Sequence, residues 1–173
     1  MSAQEPLLRV EHLKKYFTSK KKFLESKPKT VRAVDDVSFE IRRGETFGVV
    51  GESGCGKSSL GRTILRLHEP VAGKVIFAGV DLSTLSAKEM RDYRRKMQII
   101  FQDPYASLNP RMTVKELICA PLDVFEIGTK AEREQAVLEM MTKVGLPHEY
   151  LNRYPHEFSG GQRQRIMIAR ALI

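Results

Sequence analysis

The segment Gly51-Glu52-Ser53-Gly54-Cys55-Gly56-Lys57-Ser58 has the spacing G-x-x-x-x-G-K-S, and it constrains the fold more than any other part of the chain. Phe47-Gly48-Val49-Val50 before it reads as a buried strand, and Ser58 to His68 after it reads as a helix. Strand, glycine-rich loop and helix in succession is the context in which this spacing cradles phosphate. The glycines let consecutive N–H groups turn inward, and the helix start adds unpaired N–H groups and a positive dipole end. In such a loop Lys57 reaches the β- and γ-phosphates, and the Ser58 hydroxyl helps to hold Mg²⁺. The motif implies an α/β chain that binds a nucleoside triphosphate.

Composition narrows the partners. With 173 residues, 42% hydrophobic and 29% charged, the chain can bury a globular core. Its two cysteines, Cys55 and Cys119, suggest neither a disulfide framework nor a zinc site. Met1 to Pro6 lacks the basic start and apolar core of a signal peptide. No apolar run approaches the roughly 20 residues of a membrane span, so a cytoplasmic chain that meets a membrane through a partner is expected. The net charge of +8 raises nucleic acid as a ligand. However, Lys20-Lys21-Lys22, Lys27 and Lys29 read as a solvated loop, and Arg91, Arg94, Arg95 and Lys96 as the polar face and end of a helix. Aromatic residues do not interleave with the basic ones as stacking platforms would, and no nucleic-acid partner is expected.

Further along the chain, Leu7 to Val10, Val37 to Ile41, Lys74 to Phe77 and Met97 to Phe101 are strand candidates. Ser86/Glu89, Thr113/Glu116 and Thr129/Glu132 have capping-box spacing and open three helices. Ala136, Val137, Met140, Met141 and Val144 keep helical spacing up to Gly145 and read as core. The pattern divides the chain into an α/β core over residues 1–105 and a mostly helical part over residues 106–173.

Two more segments stand out. Phe158-Ser159-Gly160-Gly161-Gln162-Arg163-Gln164 precedes the helical run Arg165 to Leu172. Ser159 and Gln162 have capping-box spacing, but two glycines directly after a cap weaken a first turn and expose its amides. The hydroxyl, bare N–H groups and helix dipole form a second anion site. Two such motifs make sense if each serves a different molecule's nucleotide. The other segment is Ile100-Phe101-Gln102-Asp103-Pro104, where an apolar stretch ends abruptly in Gln102.

Together and in this order, these segments resemble the nucleotide-binding domain of an ATP-binding cassette transporter. Gly51 to Ser58 resembles the Walker A loop, Gln102 the Q-loop glutamine, and Ser159-Gly160-Gly161-Gln162 the family signature. Leu13-Lys14-Lys15-Tyr16-Phe17 resembles the segment whose ring stacks on adenine, with Phe17 the better fit and Tyr16 the second. Gly51 to Lys57, Phe101 to Pro110 and Phe158 to Arg165 resemble the oligopeptide/dipeptide importers, and among these the second of the two ATPase subunits. Phe158 stands where the wider family usually has Leu. The resemblance implies a P-loop NTPase (RecA-like) core with an antiparallel β edge and a helical subdomain. It also implies ATP and Mg²⁺ as cofactors. The ATP contacts would be Gly51, Glu52, Ser53, Gly54, Cys55, Gly56, Lys57, Ser58, Ser59, Phe17, Tyr16 and Gln102, with Ser58 and Gln102 at the metal. The implied partners are a second ATPase subunit closing head to tail, transmembrane permease subunits and, indirectly, a substrate-binding protein, at the cytoplasmic face of the membrane.

The family places a consecutive Asp-Glu pair for Mg²⁺ and water shortly after the signature helix, with a switch His beyond it. No Asp-Glu pair occurs here before Ile173. Asp81 and Asp103 each end an apolar stretch but lie before the signature, as do His148 and His156. The expectation is a C-terminally incomplete, hydrolysis-deficient cassette without catalytic residues of its own. Its parallel sheet should lack strands, and Ile166, Met167, Ile168, Leu172 and Ile173 should lose part of their cover. The alternatives are a nucleotide-binding fragment as such, or an importer of another solute. A DNA-repair or chromosome-structure ATPase is disfavoured by the absence of a Cys cluster or long heptads between loop and signature.

Overall fold

The computed structural model describes residues 5–19 and 29–173. Lys20, Lys21, Lys22 and Lys27 lie outside the described residues. The chain divides into two units, Met1–Met97 and Gln98–Ile173.

In the first unit, β1 (Leu8–Thr18) and β2 (Thr30–Ile41) pair antiparallel. β3 (Ala72–Phe77) and β4 (Val80–Asp81) follow, giving a four-stranded antiparallel sheet ordered β2-β1-β3-β4. The register sets Val10 opposite Phe39 on one side and Val75 on the other. Val10 and Leu13 both point inward although they are three positions apart, which strict alternation forbids. The register shifts between them, with His12 at φ 48° and Asp36 of β2 at φ 60°, and this bulge restores the inward phase. Val10, Leu13, Val34 and Val75 form the core with Leu60 of α1 (Lys57–Ile64), Leu82 and Met90 of α2 (Ala87–Tyr93).

Two expected strands are absent. Phe47 to Val50 forms no strand: Val50 is 93% exposed and Val49 46%, while the Phe47 ring stacks on Phe39 at 4.8 Å between centroids. Met97 to Phe101 likewise forms none. A buried strand needs neighbours on both edges, and no described strand runs beside either segment, so the parallel pairing of the expected core is not formed among the described residues. The helix after the loop ends at Ile64 instead of His68, because Arg66 takes φ 49° and breaks the ladder.

The second unit packs α4 (Val114–Val124), α5 (Lys130–Lys143) and α6 (Gly160–Leu172), with the single turn α3 (Pro104–Ser107) before them. Its core holds Leu117 and Ile118 of α4, Val137, Met140 and Met141 of α5, and Ile166, Met167 and Ala169 of α6. The Met-containing stripe is core, as its spacing predicts. Ile166 and Met167 are 0% and 2% exposed, so the expected loss of cover does not occur there: α6 turns that face into the unit's own core. Ile173 and Ile168 are half-buried, and only Leu172 is largely exposed. All three predicted capping boxes form, at Ser86, Thr113 and Thr129.

Candidate functional site

The glycine-rich loop delivers the chain into α1 without a side-chain cap. Gly56, at φ 104°, is the N-cap, and no side chain accepts from the first-turn N–H groups, which therefore stay open to an anion. Gly56 also tolerates no side chain on steric grounds: a Cβ there would lie 2.0 Å from the Ala33 carbonyl oxygen of β2. The loop is thus wedged against the sheet while Gly51 to Cys55 face solvent. Lys57 Nζ donates to the carbonyl oxygens of Gly51 (2.7 Å) and Glu52 (2.6 Å), and lies 3.6 Å from Cys55 Sγ. The Ser58 side chain is exposed, and the Ser59 carbonyl accepts from Thr63 Oγ1 at 2.7 Å. These features leave an uncapped helix start exposed to solvent beside the Lys57 ammonium, a combination suited to an anion.

The same unit holds Tyr16 and Phe17. In the β1–β2 register Tyr16 pairs with Arg32 and Lys15 with Val34, the residues on either side of Ala33, so the end of β1 neighbours the stretch of β2 that abuts the loop. Tyr16 donates its hydroxyl to Asp35 and carries the Arg32 guanidinium over its ring at 5.6 Å. The hydrogen bond to Asp35 pushes the Tyr16 pKa up and holds the Asp35 carboxyl below its ordinary range. Phe17 is 38% exposed, with the Lys15 ammonium 5.1 Å from its ring centroid and the His68 ring perpendicular to it at 5.3 Å. Each ring carries a cation, and Tyr16 differs in being held by its hydroxyl as well.

Gln102 and the signature lie in the second unit. Gln102 is exposed, and Asp103 after it caps α3 by accepting from the N–H groups of Tyr105 (2.8 Å) and Ala106 (3.4 Å). At α6, Ser159 Oγ accepts from Gln162 N–H at 3.3 Å and Gln162 Oε1 accepts from Ser159 N–H at 3.0 Å. The box binds the amide of Gln162 but leaves those of Gly160 and Gly161 without an intrahelical acceptor. A Cβ on either glycine meets nothing within 4 Å. Nothing inside the unit therefore requires glycine there. Beside them, Ser159, Gly161, Gln162, Arg165 and Tyr150 line an open depression of about 420 Å³.

The carboxylates considered as stand-ins are engaged elsewhere. Asp81 accepts from Ser83 N–H (2.9 Å) and Oγ (2.7 Å), and Asp103 caps α3. His148 contacts Thr142 Oγ1 and the Leu138 carbonyl, and the His156 ring stacks on Tyr154. Among the described residues no three His, Cys, Asp or Glu side chains gather as metal ligands, and no helix is long and apolar enough to cross a membrane. Sequence reading missed Arg163, which is only 9% exposed with its guanidinium 4.0 Å from the Tyr105 ring. No local pattern announces a contact between residues so far apart in the chain.

The family model described as ABC transporter matches residues 34–173, most of the chain, and the chain belongs to that family. Two Bacillus subtilis relatives are 55% identical to it: the putative oligopeptide transport ATP-binding protein YkfD over 168 residues and the oligopeptide transport ATP-binding protein OppF over 170. These alignments cover 96% and 97% of this chain but 49% and 53% of the relatives, so the chain spans about half their length. Among solved structures, the ATP-binding cassette MJ0796, as a dimer bound to ADP and Pi, matches with a TM-score of 0.80 at 30% identity, covering 95% of this chain and 68% of that one. CbiO1 from Clostridium perfringens, described as part of the cbiONQ transporter complex, matches in fold with a TM-score of 0.76 at 24% identity, covering 98% of this chain and 62% of that one. The fold is that of a P-loop ABC cassette, here an antiparallel sheet with helices covering part of the full domain.

Proposed function

We propose that the chain is the nucleotide-binding portion of an ATPase subunit that drives uptake of oligopeptides or dipeptides. The observation that carries the nucleotide reading is the loop: an uncapped helix start, wedged against Ala33 through Gly56, with the Lys57 ammonium held on the loop's own carbonyls. In this reading the N–H groups of the segment from Gly51 to Ser59 cradle the phosphates, and Lys57 neutralises the terminal ones. The Ser58 hydroxyl would help to hold Mg²⁺, which would supply charge neutralisation at the phosphates, and Gln102 is proposed as a second ligand on the family resemblance alone. Phe17 offers its ring to adenine, and Tyr16 supports it through the bond to Asp35. Ser159, Gly160, Gly161 and Gln162 meet the nucleotide of a second ATPase subunit, a reading supported by the Gly160 and Gly161 amides, which have no intrahelical acceptor, and by their glycine faces, which meet nothing among the described residues.

Peptide as the cargo rests on the names of the YkfD and OppF relatives. Permease subunits, an indirectly coupled substrate-binding protein and a peripheral position at the cytoplasmic face belong to the same reading. So does the division into an ATP-binding part and a helical part ending in the signature helix. A polypeptide of these 173 residues binds MgATP with negligible turnover, because Asp81 and Asp103 are held in caps. A calorimetric MgATP titration beside Lys57→Ala tests the reading. Saturable binding lost in the variant is the expected result, and no binding by the folded parent overturns it.

A further inference from the structure

Arg163 lies on the first turn of α6, one turn past the N-cap Ser159. Its guanidinium is nearly buried, yet among the described residues it forms no ion pair. Nε donates to the Pro155 carbonyl at 2.7 Å, an Nη reaches the His156 carbonyl at 3.5 Å, and the Tyr105 ring lies 4.0 Å from the guanidinium carbon. Carbonyl dipoles and an aromatic face thus take the place of a counter-charge. The two carbonyls belong to the turn that leads into Ser159, so Arg163 fixes the chain on both sides of the cap. Arg170, two turns further along the same face of α6, donates to the Ser107 carbonyl at 2.9 Å. Tyr105 and Ser107 both belong to α3, the turn that begins two residues after Gln102 and is stiffened by the Asp103 cap. Tyr105 is itself 67% exposed, so its ring position is not dictated by burial in a core.

We infer that Tyr105 is a positioning residue that joins the Gln102 segment to the start of the signature helix through the Arg163 guanidinium. Displacing the Gln102 segment moves α3, and the ring-to-guanidinium contact passes that displacement to Arg163 and hence to Ser159. Arg170 on Ser107 serves as the second fixed point, so that α3 turns about its C-terminal end. The tie itself needs only the geometry above. Its consequence for turnover rests on the proposed role of Ser159 at a partner's nucleotide.

Amide hydrogen exchange on the 173-residue chain tests the tie without nucleotide. Tyr105→Ala should speed exchange at the Gln162 and Arg163 amides by roughly 3- to 10-fold, the scale of one lost cation–π contact. The amides of Leu117, Ile118 and Ile166 should keep their rates. Tyr105→Phe, which retains the ring face, should behave as the parent, and Tyr105→Leu, which retains bulk alone, should behave as Ala. Unchanged exchange at Gln162 and Arg163 in Tyr105→Ala overturns the inference, as does rescue by Leu or uniform acceleration through α4 to α6. In an intact ATPase subunit assembled with its transporter, Tyr105→Ala should raise the ATP concentration for half-maximal turnover more than it lowers the maximum. If exchange changes as expected and this ATP dependence does not, the tie stands and the nucleotide-facing role of Ser159 fails.

Discussion

Replacing Gly160 and Gly161 together by Ala should stabilise the chain while impairing its proposed work. Both residues sit in the first turn of α6, and a Cβ at either position meets nothing within 4 Å. Neither needs positive φ, and the reciprocal Ser159–Gln162 bonds do not involve their side chains. Each glycine in a helix costs about 0.5–1 kcal/mol relative to Ala, mainly through backbone entropy of the unfolded chain. The pair should therefore add about 1–2 kcal/mol, which for a chain of this length raises Tm by roughly 2–8 °C. Thermal unfolding followed by helical circular dichroism measures it directly. In an intact ATPase subunit paired with its partner, the same change should lower ATP-dependent turnover about tenfold or more, equivalent to about 1.4 kcal/mol, because two methyl groups occupy the surface where a nucleotide must approach. A fall in Tm refutes the claim that the glycines are unneeded by the fold. A rise in Tm with unimpaired turnover refutes the claim that they are kept for a partner.

Gly56→Ala should cost at least about 2 kcal/mol and abolish MgATP binding, because the Cβ meets the Ala33 carbonyl as well as an unfavourable φ. Gly54→Ala, at φ 82° in open space, carries only the φ penalty of about 1–2 kcal/mol, and equal losses in denaturant and calorimetric titrations would contradict the wedge. Ile166→Ala should destabilise by about 2–5 kcal/mol, whereas Leu172→Ala, at an exposed site, should stay within about 0.5 kcal/mol; similar effects in urea titration would mean that α6 is not packed as described. Hydrogen bonds from Ser86, Thr113 and Thr129 hold the carboxyls of Glu89, Glu116 and Glu132 below their ordinary range. Their folded pKa values are depressed, so the stabilisation is complete above the unfolded value of about 4.3 and is lost as pH falls through the lower folded values. Tm should hold from neutrality to about pH 5 and decline below about pH 4, less steeply when all three are changed to Gln.

What the sequence showed in advance was local. Capping boxes depend on residues three apart, and those at Ser86, Thr113, Thr129 and Ser159 all form. The loop and signature were legible for the same reason, since backbone geometry over a few residues defines them. Strands were legible only where a partner exists. Val37 to Ile41 and Lys74 to Phe77 pair with β1, while the equally apolar Phe47 to Val50 has no described strand beside it and stays exposed. An apolar run reports a wish for burial and says nothing of who supplies it. The phase-restoring bulge at His12 and Asp36, and the Arg163–Tyr105 contact, depend on residues far apart in sequence, so no short pattern could carry them.

The grip of Lys57 on the carbonyls of Gly51 and Glu52 has a consequence for how tightly a phosphate can be held. In the proposed role of Lys57, a phosphate would compete with these two carbonyls for the donors of one ammonium, so affinity would be a difference between two sets of bonds to the same Nζ. Substitutions that spoil the carbonyl geometry of the loop, without touching any ligand, can therefore tighten binding. In that sense the loop competes for its own lysine, a cost common to every phosphate ligand, so it lowers affinity across the board and leaves selectivity to the contacts acquired.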